Sequence, residues 1–569
     1  MSSKRWFFSF ISMVILTAVI VAAINAAVDP FGVFGDHFFD WYSFNFTNNP
    51  RVAKIAYLDK HHREFDSYII GSSTTSAYSA DKLNSYTGDK FYNLFMYGCD
   101  LYDVAKTANY IIDNYEVKNI VMPIGLREMV KYNFEDHFLT DNLHTRVDGG
   151  SPYLFYLKYL YANPKYSANK INDYINDSYL PKKFDVFLER TGAYDKAVRD
   201  VEPISDMEKY FEDYPDFNGY GYARQEMKYA EECLAKISEI KTKCDAKGIG
   251  LTLIFSPEYY MQKDFYDSEE LKNFWIRLAE ITDFWDFSFT GISTDARYFY
   301  DATHIRNTLG DMILARIFND DSIYRPYDLG YYVNKENVRE RIAFFDYDIE
   351  GITDNSARVP ILSCSPASAE EFEEVIRTLK YSGYSAITFS NLCDYVNLGI
   401  DMPEKPIIIT IDNFSKENSG FIYDVLSRYN FKGVLFLNDR DRSLMNLARE
   451  LRPVISAEIR SDDFAGSRVD YPKEEEIRYI NGYRRDINKL ISVFYENFDE
   501  FPQAFLYNED EYSILNDVLT KNAGIPITIS MDSSKINTIV KGLPQSLNAL
   551  NRIVPDSDLS VTEVLEGIE

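Results

Sequence analysis

A serine nucleophile needs a base within hydrogen-bond reach and a third group to orient that base. Two stretches of this chain supply such groups. Gly71-Ser72-Ser73-Thr74 closes a short apolar run, Ser67-Tyr68-Ile69-Ile70. Far downstream, Phe299-Tyr300-Asp301-Ala302-Thr303-His304 sets an acid three residues before a histidine. That spacing lets the Asp301 carboxylate reach the His304 ring while the other ring nitrogen faces a serine. The chemistry would be acyl transfer or hydrolysis. Each stretch also has a plainer reading: Gly-Ser-Ser as a turn, and Asp-x-x-His as a helix cap, because Leu309, Met312, Ile313 and Ala315 follow at helical spacing. Joint occurrence at the two ends of one α/β segment favours the chemistry.

Other reactive residue types are sparse. The five cysteines are scattered and form no Cys-x-x-Cys, which excludes a zinc ribbon and argues against a disulfide framework. His61 and His62 are adjacent, and adjacent helical positions do not face each other, so they read as surface residues. No histidine follows His304, so a His-dependent metal site cannot be built in the C-terminal half. Carboxylates there could still hold a hard cation such as Ca²⁺.

Positioning these groups requires a scaffold, and the sequence marks one. Ser67–Ile70, Lys118–Ile124 and Gly250–Phe255 are apolar runs of the kind that form buried parallel strands. Gln225–Lys247 carries Met227, Ala230, Cys233, Leu234, Ile237 and Ile240 on one helical stripe. This alternation predicts a parallel α/β sheet. Residues 138–220, rich in Tyr, Asn and Asp, break it and predict an inserted helical lobe over the sheet. A second alternation begins near 350. It has a helix over Ala367–Ser382, a strand over Lys405–Asp412, a helix over Ser419–Tyr429 and a strand over Lys432–Leu437, compatible with a parallel barrel. All tryptophans and histidines precede residue 325, which supports a boundary between 325 and 350.

The whole chain has 569 residues with 60 Lys plus Arg against 88 Asp plus Glu, a net charge of −28. Nucleic-acid binding needs basic surfaces, so that partner class is excluded. The acidic excess keeps an exported protein soluble. Tyrosine and phenylalanine are abundant, which sequence bias explains better than sugar stacking. Lys4 and Arg5 precede an apolar run, Trp6–Val28, of 23 residues. A bilayer needs about 20. Ile24-Asn25-Ala26 is a poor cleavage site, so the run reads as an uncleaved single-pass anchor, basic end inside and body outside.

Residues 29–325 resemble the SGNH hydrolases, in the membrane-anchored subset related to alginate O-acetyltransferases and teichoic-acid D-alanylation proteins. The resemblance rests on Gly71-Ser72-Ser73, on Asn93-Leu94-Phe95-Met96-Tyr97-Gly98 and on Asp301-x-x-His304. It implies Ser73 as nucleophile, His304 as base, Asp301 as orienter, and the Ser73 and Gly98 amides as the oxyanion hole. The third block departs from the family's Gly-x-Asn-Asp: this chain has Gly125-Leu126-Arg127-Glu128, where Arg127 either replaces the Asn as oxyanion donor or, the favoured reading, forms a surface salt bridge.

Residues 351–569 resemble the NodB-homology polysaccharide deacetylases, with 326–350 as a linker. Pro360–Cys364, Phe372–Ile387 and Thr410-Ile411-Asp412-Asn413 match the family's framing. Its catalytic residues are degenerate. Asp412 stands at the position of the base, Asn413 replaces a metal-binding Asp, and Asp462 and Gly466 stand where two metal histidines belong. Together the resemblances imply a fold of an SGNH-type parallel sheet followed by a degenerate (β/α) barrel. The function implied is O-acyl transfer or ester hydrolysis on an exported polysaccharide, without a cofactor, beside a multi-pass membrane O-acyltransferase. The alternatives are a non-catalytic glycan-binding or assembly protein and a polysaccharide N-deacetylase.

Overall fold

The computed structural model describes residues 3–35, 38, 48–130, 139–176, 186–188, 191–204, 206–219, 224–345, 355–461, 473–508, 511–530 and 535–555. The chain divides into two units. The first comprises Met1–Arg199, Asp216–Asp320 and Asp328–Phe345; the second comprises Asp200–Pro215, Asp321–Tyr327 and Asp346–Glu569.

The strands of the first unit are β1 (Ser67–Gly71), β2 (Phe91–Phe95), β3 (Asn119–Ile124), β4 (Val186–Leu188), β5 (Ala193–Asp195), β6 (Gly250–Phe255), β7 (Phe284–Asp286) and β8 (Tyr331–Val333). Six form one sheet in the order β2-β1-β3-β6-β7-β8, parallel except for β8. The apolar runs at β1, β3 and β6 are continuous because helices cover both faces of the sheet. Leu58, Ile70, Ile111, Ile120, Ile237, Leu253 and Trp275 are buried in one apolar cluster. Gly71 pairs with Phe95, and Ile124 with Phe255. The C-terminal ends of β1, β2, β3 and β6 therefore reach one rim, where α/β proteins collect functional loops.

Two expectations are corrected here. Most of the expected linker 326–350 is not one, because Asp328–Phe345 belongs to the first unit. β8 pairs antiparallel with β7, and the Arg341 Nε donates to the buried Asp286 Oδ2 at 2.6 Å. The insertion also divides its packing. Its helices Pro152–Leu160 and Lys165–Ile175 pack on the end of the N-terminal helix, Ser3–Val28, instead of covering the sheet. Its hairpin, β4 with β5, does reach the sheet, where Asn93 N–H donates to Thr191 O at 2.8 Å.

The second unit's strands are β9 (Ser356–Val359), β10 (Ile361–Cys364), β11 (Ser385–Ala386), β12 (Pro406–Ile411), β13 (Gly433–Leu437), β14 (Ile455–Arg460), β15 (Ala504–Leu506), β16 (Ile527–Ile529) and β17 (Asn537–Val540). A parallel sheet runs β10-β12-β13-β14-β15-β16, with β11 beside β12 and the pair β17-β9 apart. The path from β10 to β16 is open, and the segment Leu550–Ile553 spans it. Ile553 bridges Leu362 on β10, and Leu550 bridges Ile529 on β16. The result is a barrel closed by irregular chain.

Candidate functional site

Ser73 opens a 3-10 turn, Ser73–Ala77, directly after β1. The turn folds back so tightly that a Cβ on Gly71 would collide with Thr75 Oγ1, and β3 closes the other side through Pro123 O. Asn93 Nδ2 donates to Thr75 O and Tyr78 O, both at 3.1 Å, and Ser76 Oγ donates to Ser73 O at 2.7 Å. The serine is thus fixed by its own turn and by β2.

His304 arrives from the other end of the unit. Its Nε2 lies 2.6 Å from Ser73 Oγ, and its Nδ1 lies 2.6 Å from Asp301 Oδ2. Asp301 Oδ1 accepts from the Thr303 and His304 amides, both at 2.8 Å. Burial opposes the charge on Asp301, but the His304 ring and these amides outweigh it and hold the carboxyl well below its ordinary range. The helix that follows begins at Asn307, with Arg306 at its cap position, so Asp301 does not cap it. The helix presses on the serine turn: a Cβ on Gly310 would lie 2.1 Å from Ala77 O.

Ser73, Asp301, His304 and Gly98 line one cavity of about 540 Å³. Gly98 has a φ of 55°. Arg127 lines the same cavity instead of the outer surface, as do Glu128 and Glu258. Burial pushes both glutamates up to about 7. Glu258 accepts from Tyr266 OH at 2.6 Å and from the Leu126 amide at 3.2 Å. The Cys99 thiol, also in the lining, is pushed up by burial and is a poor rival nucleophile.

Sequence reasoning missed a basic flank. Lys196 and Arg199 line the cavity from the insertion. Lys196 Nζ donates to Ser76 Oγ at 3.1 Å and to Tyr300 OH. The Arg199 guanidinium lies 4.6 Å over the Tyr300 ring, which stacks 5.5 Å from His304. The available signal was Tyr300 beside the Asp-x-x-His block; nothing local ties Lys196 to it.

His61 and His62 stand apart from this cavity. His61 Nδ1 meets Glu64 Oε1 at 2.7 Å, and His62 stacks on Tyr115. The five cysteines are all free.

The second unit has its own cavity, about 800 Å³, at the C-terminal ends of its strands. Asp412 and Asn413 line it, at the end of β12. Asp412 receives Arg552 Nη1 at 2.9 and 3.1 Å and Ser363 Oγ at 2.5 Å. Asn413 Nδ2 donates to Ser365 Oγ at 2.5 Å. Asp462 and Gly466 lie outside the described residues. Asp412 and Asn413 offer a divalent metal no open ligand pair: the carboxylate is ion-paired to a guanidinium, and its neighbour's amide is already engaged.

No protein-family model matches the chain, and no curated protein matches it. Solved structures, deacetylases among them, are similar to part of it. A de-N-acetylase from Aggregatibacter actinomycetemcomitans aligns over 37% of this chain and 100% of its own, at 14% identity and a TM-score of 0.32. The deacetylase PplD of Streptococcus pyogenes covers 37% of this chain and 99% of its own, at 13% identity and a TM-score of 0.31. IcaB from Ammonifex degensii covers 37% and 97%, at 14% identity and a TM-score of 0.29.

Proposed function

We propose that the first unit is a serine O-acyltransferase or esterase acting on an exported cell-surface polysaccharide. The observation that carries this reading is the chain of two 2.6 Å contacts, Ser73 to His304 and His304 to Asp301, inside one cavity. With Nδ1–H donated to Asp301, Nε2 is the basic nitrogen. It takes the proton as Ser73 Oγ bonds to the acyl carbonyl carbon. The tetrahedral oxyanion is held by the Ser73 and Gly98 amides, where one lost donor typically costs about 10²–10³ in rate. The leaving group departs with the His304 proton and leaves acyl-Ser73. His304 then deprotonates a sugar hydroxyl or a water, which attacks the acyl carbon and frees the serine. Acetyl is the acyl group that the sequence resemblance implies, and a multi-pass membrane O-acyltransferase is the partner it implies. No cofactor enters these steps.

The N-terminal helix, 26 residues containing an 18-residue stretch with a mean hydropathy of 2.7, fits a single-pass anchor or a signal sequence. We assign it as a retained anchor with the body outside the cytoplasm. Asn25 supports retention: its side chain bonds Leu160 O, Ala162 O and Ser167 Oγ, and cleavage after Ala26 would remove all three bonds.

For the second unit the reading is glycan binding without hydrolysis, favoured by the guanidinium on Asp412. N-deacetylation is the competing activity. It predicts a bound divalent metal, so metal analysis of the full chain separates the two, with less than roughly a tenth of an equivalent expected.

The deciding experiment is intact-mass trapping with a fluorophosphonate and with an activated acetyl ester. A single adduct, absent from Ser73→Ala and strongly slowed in His304→Ala, is the expected result. An unmodified mass in the folded chain, or an adduct that persists in Ser73→Ala, overturns the assignment. Candidate glycans added to the acetyl-enzyme then divide transfer from hydrolysis.

A further inference from the structure

The helices Pro152–Leu160 and Lys165–Ile175 are fastened to the end of the N-terminal helix. Asn25, within its last turn, donates from Nδ2 to Leu160 O at 3.0 Å and to Ala162 O at 2.8 Å, and accepts from Ser167 Oγ at 2.7 Å. Lys170 Nζ donates to Asp29 O at 2.9 Å. Phe31 packs edge-on against Tyr159 at 5.1 Å and tilted against Tyr166 at 5.0 Å. Phe31, Val33, Phe155, Tyr159 and Ala162 form one buried cluster around this junction.

The opposite face of Pro152–Leu160 is open and apolar. Tyr153 is 84% exposed, Leu154 61%, Leu157 46% and, just past the helix end, Tyr161 53%. At about 100° per residue these four fall within roughly a quarter of the helix circumference, away from the buried Phe155 and Tyr159. The helix carries one charged residue, Lys158. A water-facing stripe of that composition has no compensating burial among the described residues. Tyrosines and leucines at the level where an apolar span leaves the bilayer have the composition of the headgroup boundary.

We propose that Pro152–Leu160 is a membrane-surface element, with its Tyr153, Leu154, Leu157 and Tyr161 stripe seated in the lipid headgroup boundary of the leaflet from which the N-terminal helix emerges. This rests on the anchor reading above. The occupant is the lipid itself, because the helix is bonded to the last turn of the span and lies at the height of its exit. The consequence is a two-point attachment that restricts the first unit from swivelling about its anchor.

The test uses the full chain in phosphatidylcholine–phosphatidylglycerol vesicles with a nitroxide at Tyr153→Cys or Leu157→Cys. Both side chains are exposed, so the label does not disturb packing. Leu16→Cys in the span and Ser85→Cys on a water-facing helix are the references. The unsubstituted chain, with its buried and half-buried cysteines, sets the background. Power saturation by oxygen and by a water-soluble nickel chelate reads depth. The expected result is severalfold higher oxygen than nickel accessibility at 153 and 157, with depth between Leu16 and Ser85. Nickel accessibility equal to that of Ser85 overturns the proposal while leaving the anchor intact. A Leu16 label in water overturns the anchor reading and the proposal with it. Spectral broadening that grows with the protein-to-lipid ratio assigns the face to a second copy, and exclusion of both reagents assigns it to protein; either overturns the lipid assignment.

Discussion

A histidine can act as a base from either ring nitrogen, and the carboxylate beside it decides which. Asp301 sets its two oxygens to different tasks, Oδ1 on the loop amides and Oδ2 on the ring. Its depressed carboxyl keeps it ionised at neutral pH. Asp301→Asn preserves the shape but lets the ring take the wrong tautomer, so fluorophosphonate labelling of Ser73 should slow by about 10⁴-fold while the chain remains folded by circular dichroism. Retention of more than a tenth of the parent rate would remove Asp301 from the proposed relay. Glu458 shows the opposite linkage. It is buried on β14, accepts from the Gln503 and Ala504 amides at 2.7 and 2.9 Å, and is pushed up by burial to about 8. The folded state therefore binds a proton that the unfolded state has already released above about pH 4.5. Stability from this group is complete below that pH and falls as pH rises toward 8, at roughly 1.4 kcal/mol per pH unit at most. Glu458→Gln should melt higher than the parent at pH 8, with the gap closing by pH 5. Parallel melting curves across that range would contradict the sign.

Between residue and fold stand the elements, and here the Ser73–His304 distance is set by helix-on-turn packing. The Asn307–Phe318 helix follows His304 and meets the Ser73–Ala77 turn through Gly310, where a Cβ would lie 2.1 Å from Ala77 O. Gly310→Ala should push the helix off the turn by about an ångström and slow Ser73 labelling by about 10²-fold, while the chain remains folded by circular dichroism. A rate within twofold of the parent would mean that the helix does not position the histidine. Much at this scale was legible in the sequence. The five apolar runs read as buried strands form β1, β3, β6, β12 and β13, because strands covered on both faces show unbroken apolar residues. What escaped was held by distant partners. β7 and β8 are three residues each, too short for a periodic signal, and β8 is fixed by its ladder to β7 and by Arg341 on Asp286. Asn25 is a polar residue inside an apolar helix, and its partners lie 135 residues and more downstream. Lys196 lies 104 residues from Tyr300, and no local pattern joins them.

At the scale of the whole molecule, the open question is how far the second unit depends on its irregular closing segment. Leu550–Ile553 fills the gap that six parallel strands leave. Leu550 N–H donates to Thr528 O at 2.8 Å and its carbonyl accepts from the Ser530 amide at 3.1 Å. Ile553 N–H donates to Ile361 O and its carbonyl accepts from the Ser363 amide, both at 2.8 Å. Leu550 and Ile553 are buried, and Arg552 carries the charge that meets Asp412. Ending the chain after Ala549 removes four backbone bonds and about two apolar side chains, each worth roughly 1.5–3 kcal/mol when fully buried. It also exposes two strand edges and leaves Asp412 without its guanidinium. A loss on the order of 5 kcal/mol is comparable with the whole stability of an ordinary domain. The truncated chain should therefore lose the thermal transition of its second unit and expose it to proteolysis. Every group of the proposed acyl chemistry lies in the first unit, so fluorophosphonate labelling of Ser73 should persist within about threefold. Loss of labelling together with the second unit would show that the serine site is not self-sufficient. An unchanged second transition would mean that the parallel sheet closes without its C-terminal strap.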